Sequence, residues 1–288
     1  MNFDQKLTSY KAMVENALEA LPFDGAPDRL RDAMRYSLLS GGKRLRGCLL
    51  LASCDALGGD VGQALPFACA LEMIHAYSLI HDDLPSMDND TLRRGKPTNH
   101  VVYGEAMAIL AGDGLLSYAF EHLSAQNSPG AFRALGILAG AAGVGGMLGG
   151  QVLDITNEGK APDESLVRQI HLGKTAALIT APVLAGFALA GADDAGMEMA
   201  EIYGRHLGLA FQITDDLLDL EGDAALMGKT LGKDEQAGKL TWPACVGVER
   251  ARQDAARFIE TAVTALAPLK ERSLFLKTLA ENTLHRVQ

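Results

Sequence analysis

Almost every window of this chain repeats its apolar residues at the spacing of a helix, while alternating Val/Ile/Thr segments are hard to find and Ala and Leu dominate. That periodicity leaves few architectures open, and it predicts an all-α fold of about ten or more helices. Helices are expected near residues 3–20, 28–39, 43–58, 62–83, 101–124, 129–155, 163–191, 195–220, 235–267 and 270–286. The breaks fall at turn-formers: Pro22 to Pro27, Gly41-Gly42, Gly58-Gly59, Pro85, Asn127 to Pro129 and Gly159 to Pro162. None has the composition of a linker, so residues 1–288 are expected to form a single domain, and 288 residues are ample for a sizeable core.

Two stretches, 134–153 and 175–192, carry no charge and approach the length needed to cross a bilayer. The first holds seven glycines and is poor in Leu, Ile and Phe, which points to close helix packing in a core. Gln151 and Asp154 continue it as a polar edge, and no Lys/Arg asymmetry frames either stretch, so no membrane span is expected. The N-terminus lacks a basic region followed by an apolar one, and the four cysteines show no zinc-like spacing. Both features suggest ordinary thiols in a reducing cytoplasm. A net charge of −10 argues against nucleic acid or an anionic lipid surface as the main partner.

The chemistry concentrates in two acidic strings. In "FQITDDLLD", Asp215 and Asp219 lie four apart and share a helix face with Gln212, with Asp216 beside them. Like charges at that spacing destabilise an isolated helix, so something must compensate them. The string "HDDLPSMDNDTLRRG" places Asp82 and Asp83 at the end of an apolar helix that Pro85 does not continue. A looped turn is needed to bring Asp88 back to them. An EF-hand is excluded, because Leu92 and Arg93 would stand at ligand positions and the central glycine is missing. Carboxylates at two helices suit Mg²⁺, which commonly takes one or two carboxylates plus substrate phosphates. A phosphorylated substrate follows from that chemistry.

Basic residues then acquire a purpose. Arg93 and Arg94 follow the first cluster, and "GGKRLRG" places Lys43 and Arg46 at a helix start, where cations are unfavourable unless an anion joins them. Lys174, Thr175, Lys229 and Lys239 add further donors. The "GKT" strings at Lys174 and Lys229 lack the leading glycine of a P-loop. His75 precedes Asp82 by seven residues and shares its face. His81, His100 and His171 read as ordinary histidines.

With these strings in order, the chain resembles the trans-polyprenyl diphosphate synthases of the short-chain, farnesyl/geranylgeranyl type. The resemblance runs from about Gly41 to Pro243 through "GGKRLRG", "HDDLPSMDNDTLRRGKPT", "GGQVLDI", "GKTAALI", "FQITDDLLDLEGD" and "GKLTWP". One departure is Trp242, where a tyrosine is commoner. The resemblance implies a helical bundle around a deep cavity, a homodimer, and on the order of three Mg²⁺ ions, with Mn²⁺ as an alternative. It assigns metal binding to Asp82, Asp83, Asp88 and Asp215, with Asp216 and Asp219 in support. Arg93, Lys174 and Lys229 would grip the allylic diphosphate. Lys43, Arg46, His75 and Arg94 would bind isopentenyl diphosphate, and Thr175 and Gln212 would turn oxygen dipoles toward an allylic cation.

The implied reaction is head-to-tail condensation of isopentenyl diphosphate with dimethylallyl or geranyl diphosphate. Product length would be set at the cavity floor by Tyr77, with Ser78 beside it, about 7.5 Å of helix rise below Asp82. An aromatic residue there argues for a C15 product, farnesyl diphosphate; the alternative is C20. A terpene cyclase would carry a different second metal motif, and a non-catalytic partner subunit would be expected to have lost one aspartate cluster.

Overall fold

The computed structural model describes residues 1–221 and 238–284. It is all-α: α1 (Phe3–Glu19), α2 (Asp28–Leu38), α3 (Leu45–Ala56), α4 (Val61–Asp82), α5 (Asn99–Tyr103), α6 (Glu105–Ser124), α7 (Ala131–Ala142), α8 (Met147–Thr156), α9 (Glu164–Ile170), α10 (Ala177–Leu189), α11 (Asp194–Glu221), α12 (Trp242–Val246), α13 (Val248–Ala265) and α14 (Leu274–Leu284). Strand among the described residues is confined to a two-residue hairpin, β1 (Leu92–Arg93) and β2 (Lys96–Pro97). Local chemistry sets several helix starts. Asn2 and Gln5 close a capping box on α1, and the Asp60 side chain accepts from the Gly62 and Gln63 backbone at the head of α4.

Helices α4 and α10 are buried on nearly every side, as expected of helices that are apolar all round. Around them pack α3, α6, α7 and α11, and one contiguous core runs from Tyr10 to Ala280. The end of α4 thereby opens into a cavity lined also by α6 and α8.

The structure departs from the sequence expectations mainly at glycines. The helix expected over 129–155 is two helices, because Gly143 and Gly146 leave helical geometry between them. Of the one expected over 235–267, residues 235–237 lie outside the described residues, 238–241 are not helical, and the helix from Trp242 is interrupted at Gly247, whose φ is +81°. The run Ala131–Thr156 is long and apolar enough to cross a bilayer, but it is broken between α7 (12 residues) and α8 (10 residues), each too short alone. The continuous run Glu164–Leu189 is long enough, but 61% of its most apolar window is buried inside the fold, which makes it a core helix.

Candidate active site

The first acid wall is built where α4 ends. Asp82 is its last residue and Asp83 its cap, so two carboxylates meet the negative end of the helix dipole. The chain then curls back, with the Asp88 N–H donating to the Asp82 carbonyl at 2.8 Å, which supplies the looped turn that the sequence required. Each carboxylate is held from a distant segment: Asp82 accepts from Gln151 Nε2 at 3.0 Å, Asp88 Oδ1 lies 3.1 Å from Lys239 Nζ, and buried Asp83 takes the Arg93 guanidinium through Nε and Nη2 at 2.6–2.9 Å. Burial, reinforced by Asp88 and opposed by Lys174, pushes the Asp82 carboxyl up to about 6. Burial raises Asp83 as well, against the pull of Arg93.

The β1–β2 hairpin explains how adjacent arginines serve different places. Arg94 and Gly95 both have positive φ (55° and 74°), as a two-residue hairpin turn demands. Arg93 therefore reaches back to Asp83, while Arg94 Nη1 donates to the Gly41 carbonyl on the other side.

The second wall stands on α11, and Lys239, the partner of Asp88, lines one pocket with Gln212 and Asp216. Between α9 and α10 the helix widens into a π-turn, His171–Ala176, a feature common at functional sites. Its close approach to α8 requires Gly150, where a side chain would meet the Lys174 backbone at 2.0 Å. Lys174 Nζ lies 2.5 Å from Asp154 Oδ2. The Thr175 hydroxyl donates to Gln212 Oε1 at 2.5 Å, and Gln212 Nε2 donates to Asp216 Oδ1 at 2.8 Å. The other Asp216 oxygen accepts from the Trp242 backbone N–H at 2.8 Å, with His171 Nε2 at 3.3 Å. Asp219 is buried and Asp215 half-buried on the same helix, and Asp215 acts electrostatically on Arg46.

Lys43, Arg46, His75 and Arg94 all line one cleft of about 710 Å³, closed on another side by Leu279 and Asn282 of α14. The helix here starts at Leu45, so Lys43 stands ahead of it rather than in its first turn. Arg46 Nη1 lies 3.2 Å from His75 Nε2. A guanidinium only donates, so that ring nitrogen accepts and the imidazole is neutral. Burial, with Arg46 and three other arginines, holds His75 well below its ordinary value. Arg46 Nε is buried without an acceptor among the described residues, a cationic donor that an anionic oxygen would complete.

From Asp82 a second cavity of about 400 Å³ descends between α4, α6 and α8, within the range of ligand pockets. Tyr77, Ser78, Thr175 and Leu178 line it. Ser78 turns its hydroxyl back to the His75 carbonyl, and Tyr77 is 6% exposed with its hydroxyl unpartnered among the described residues. Burial, with Asp82 nearby, pushes the Tyr77 phenol up to about 12.

Among the described residues no three carboxylate, imidazole or thiol side chains converge on one metal position. The donor chemistry nevertheless fits a cation shared with phosphate: carboxylates gather at a helix C-terminus, one of them strained toward protonation, and α11 carries a second acidic string. Lys229 lies outside the described residues. Sequence reasoning assigned no contact to Gln151, Asp154 or His171, although the polar pair in the otherwise apolar "GGQVLDI" was the available signal.

An all-helical fold with acidic strings above an apolar cavity can hold a charged head group over an apolar chain, as a prenyltransferase must. The chain belongs to the polyprenyl synthetase family, whose model matches residues 27–273. It is 48% identical over 269 residues to the farnesyl diphosphate synthase of Geobacillus stearothermophilus, covering 91% of this chain and 90% of that one. It is 45% identical over 282 residues to the geranylgeranyl diphosphate synthase of Cyanophora paradoxa, covering 96% and 94%. The crystal structure of an FPP/GFPP synthase from Zymomonas mobilis superposes with a TM-score of 0.87 at 35% identity, covering 98% and 99%.

Proposed function

We propose that this prenyltransferase condenses isopentenyl diphosphate with dimethylallyl and geranyl diphosphates and releases farnesyl diphosphate. The observation that carries the reading is the 400 Å³ apolar cavity, which begins at Asp82 and has buried Tyr77 in its wall one and a half turns down the helix. Asp82, Asp83, Asp88, Asp215 and Asp219 would hold Mg²⁺, which when bound neutralises charge developing on a departing diphosphate. Asp216, with both oxygens engaged by the protein, orients Gln212 beside them. Arg93, Lys174 and Lys229 would grip the allylic diphosphate, and Lys43, Arg46, His75 and Arg94 the isopentenyl one. Neutral His75 donates without adding a titrating charge, and Arg46 supplies the cation.

As the allylic C–O bond ionises, Thr175 presents its oxygen to the cation, with its proton committed to Gln212. The isopentenyl double bond then attacks, and loss of a proton completes the longer chain; the released diphosphate is the base. No protein nucleophile is needed, and the Ser78 hydroxyl in the cavity wall is turned back to the His75 carbonyl. The exposed apolar residues Leu110, Phe132 (89% exposed), Val144 (88%) and Val152, on α6–α8 and the turn between them, support a homodimer.

The competing reading is a C20 stop, favoured by the geranylgeranyl synthase among the relatives. Incubation with isopentenyl and geranyl diphosphates, with and without Mg²⁺, followed by separation of products by chain length, decides between them. Metal-dependent C15 product is expected, and Tyr77→Ala is expected to lengthen it. Absence of elongation overturns the activity, and unchanged products from the variant remove Tyr77 from the role.

A further inference from the structure

Tyr77 has no polar partner among the described residues. Its hydroxyl is buried without a hydrogen bond, so the ring's position depends on what packs against it. One turn along α4, the His81 ring meets it edge to face, with centroids 5.7 Å apart and planes at 83°. His81 is in turn fixed by α6. Its Nε2 lies 3.1 Å from the Ile109 carbonyl, which can only accept, so Nε2 carries the proton. The imidazole fills the space that a side chain at position 112 would take. A Cβ on Gly112 would lie 2.1 Å from Nε2, 2.5 Å from Cδ2 and 2.9 Å from Cε1. Tyr77, His81 and Ile109 all line the same apolar cavity.

We propose that His81, seated in the notch at Gly112, is a positioning residue for product length: it props the Tyr77 ring across the cavity floor. The inference rests on the reading of Tyr77 as the chain-length stop and adds what holds that stop in place. A wall residue with no bond of its own swings aside once the surface behind it is removed. With His81 shortened, the vacated notch gives the Tyr77 ring somewhere to go, and the growing chain gains the space the ring leaves. Gly112 is then required for a steric reason that the helix alone does not supply, since glycine inside a helix costs about 1 kcal/mol relative to alanine.

The test compares product chain lengths from wild type, Tyr77→Ala, His81→Ala, His81→Gln and the Tyr77→Ala/His81→Ala double variant, using isopentenyl and geranyl diphosphates. General damage to the fold lowers all products together, whereas a displaced ring changes their ratio. His81→Ala is expected to raise the ratio of the next longer product to the main one about tenfold, the size of a modest change in barrier. His81→Gln, which keeps a donor toward the Ile109 carbonyl and most of the bulk, is expected to restore the wild-type ratio. The double variant is expected to go no further than Tyr77→Ala alone, because the prop acts through the ring. If His81→Ala does not fold, His81→Ser, which likewise empties the notch, takes its place. An unchanged ratio in His81→Ala alongside lengthening in Tyr77→Ala overturns the prop and leaves the stop standing. Lengthening in His81→Ala with none in Tyr77→Ala overturns both, as does no change in either. Further lengthening in the double variant overturns the prop by making His81 a floor residue in its own right.

Discussion

The two acid walls are written with similar residues and held by different chemistry. At the first wall, Asp83 and Asp88 are met by the charged ends of Arg93 and Lys239, which arrive from other segments, and Asp82 by the amide of Gln151. At the second, Asp216 lies inside a helix and accepts from the Gln212 amide and a backbone N–H, with His171 alongside and Trp242 packed on that ring. Cationic partners that reach a helix end from other segments can be exchanged for an incoming metal or diphosphate. Donors anchored in the core cannot. The first wall is therefore the adaptable half of the site, and the second sets the frame against which it moves.

The largest effect that separates the walls is on activity. Asp82→Asn is expected to lower kcat by about 10³, the scale of losing a group that stabilises developing charge. The same change should stabilise the metal-free protein. The folded carboxyl, pushed up to about 6, holds its proton more tightly than the unfolded one at 3.8. The wild type therefore loses stability as pH rises between those values and stays lower above them, by at most about 3 kcal/mol. Melts of the two proteins should coincide below pH 4 and diverge by pH 7; parallel curves would remove the difference between the walls. Asp216→Ala works in the opposite sense, leaving buried donors on Gln212 and Trp242 unmet, and should cost about 3 kcal/mol, or about 9 °C in Tm. A neutral effect there would mean the second wall is no more fixed than the first.

Much of this contrast was legible in the sequence, because the walls are local strings. "DDLLD" needs only the helical period to share a face, and "HDDLPSMDND" needs only Pro85 to force the turn that returns Asp88 to Asp82. The partners were not legible. His171 stands 45 residues before Asp216, and His81 reaches α6 some 28 residues on, so nothing in either neighbourhood distinguishes them from ordinary core histidines. Gln151 and Asp154 were visible as a polar edge, but that edge meets Asp82 and Lys174 only because α8 is a separate helix, turned by the glycines that the period alone had bridged. Trp242 stood out by its side chain, while its contact to the second wall is made by its backbone N–H.

Proton and metal should compete at the first wall. Below pH 6, where Asp82 takes up its proton, the Mg²⁺ concentration for half-maximal activity is expected to rise by about tenfold per pH unit, and above it to level off. A Mg²⁺ titration at several pH values reads this directly. In Asp82→Asn that dependence should flatten, and if it persists the titrating group lies elsewhere.

Trp242→Phe gives the finest resolution of the second wall, because it separates side chain from backbone. The indole N–H donates to buried Asp254 at 3.0 Å, and Asp254 keeps Arg257 at 2.7 Å when that bond is lost. About 1 kcal/mol of stability should go with it. The backbone N–H that holds Asp216 is untouched by the change, so kcat and the Mg²⁺ requirement should stay within about threefold of wild type, under 1 kcal/mol. If they instead fall as they do in Asp216→Ala, the indole is part of what aims Asp216, and the frame of the second wall extends through Asp254 into α13 rather than ending at the backbone of Trp242.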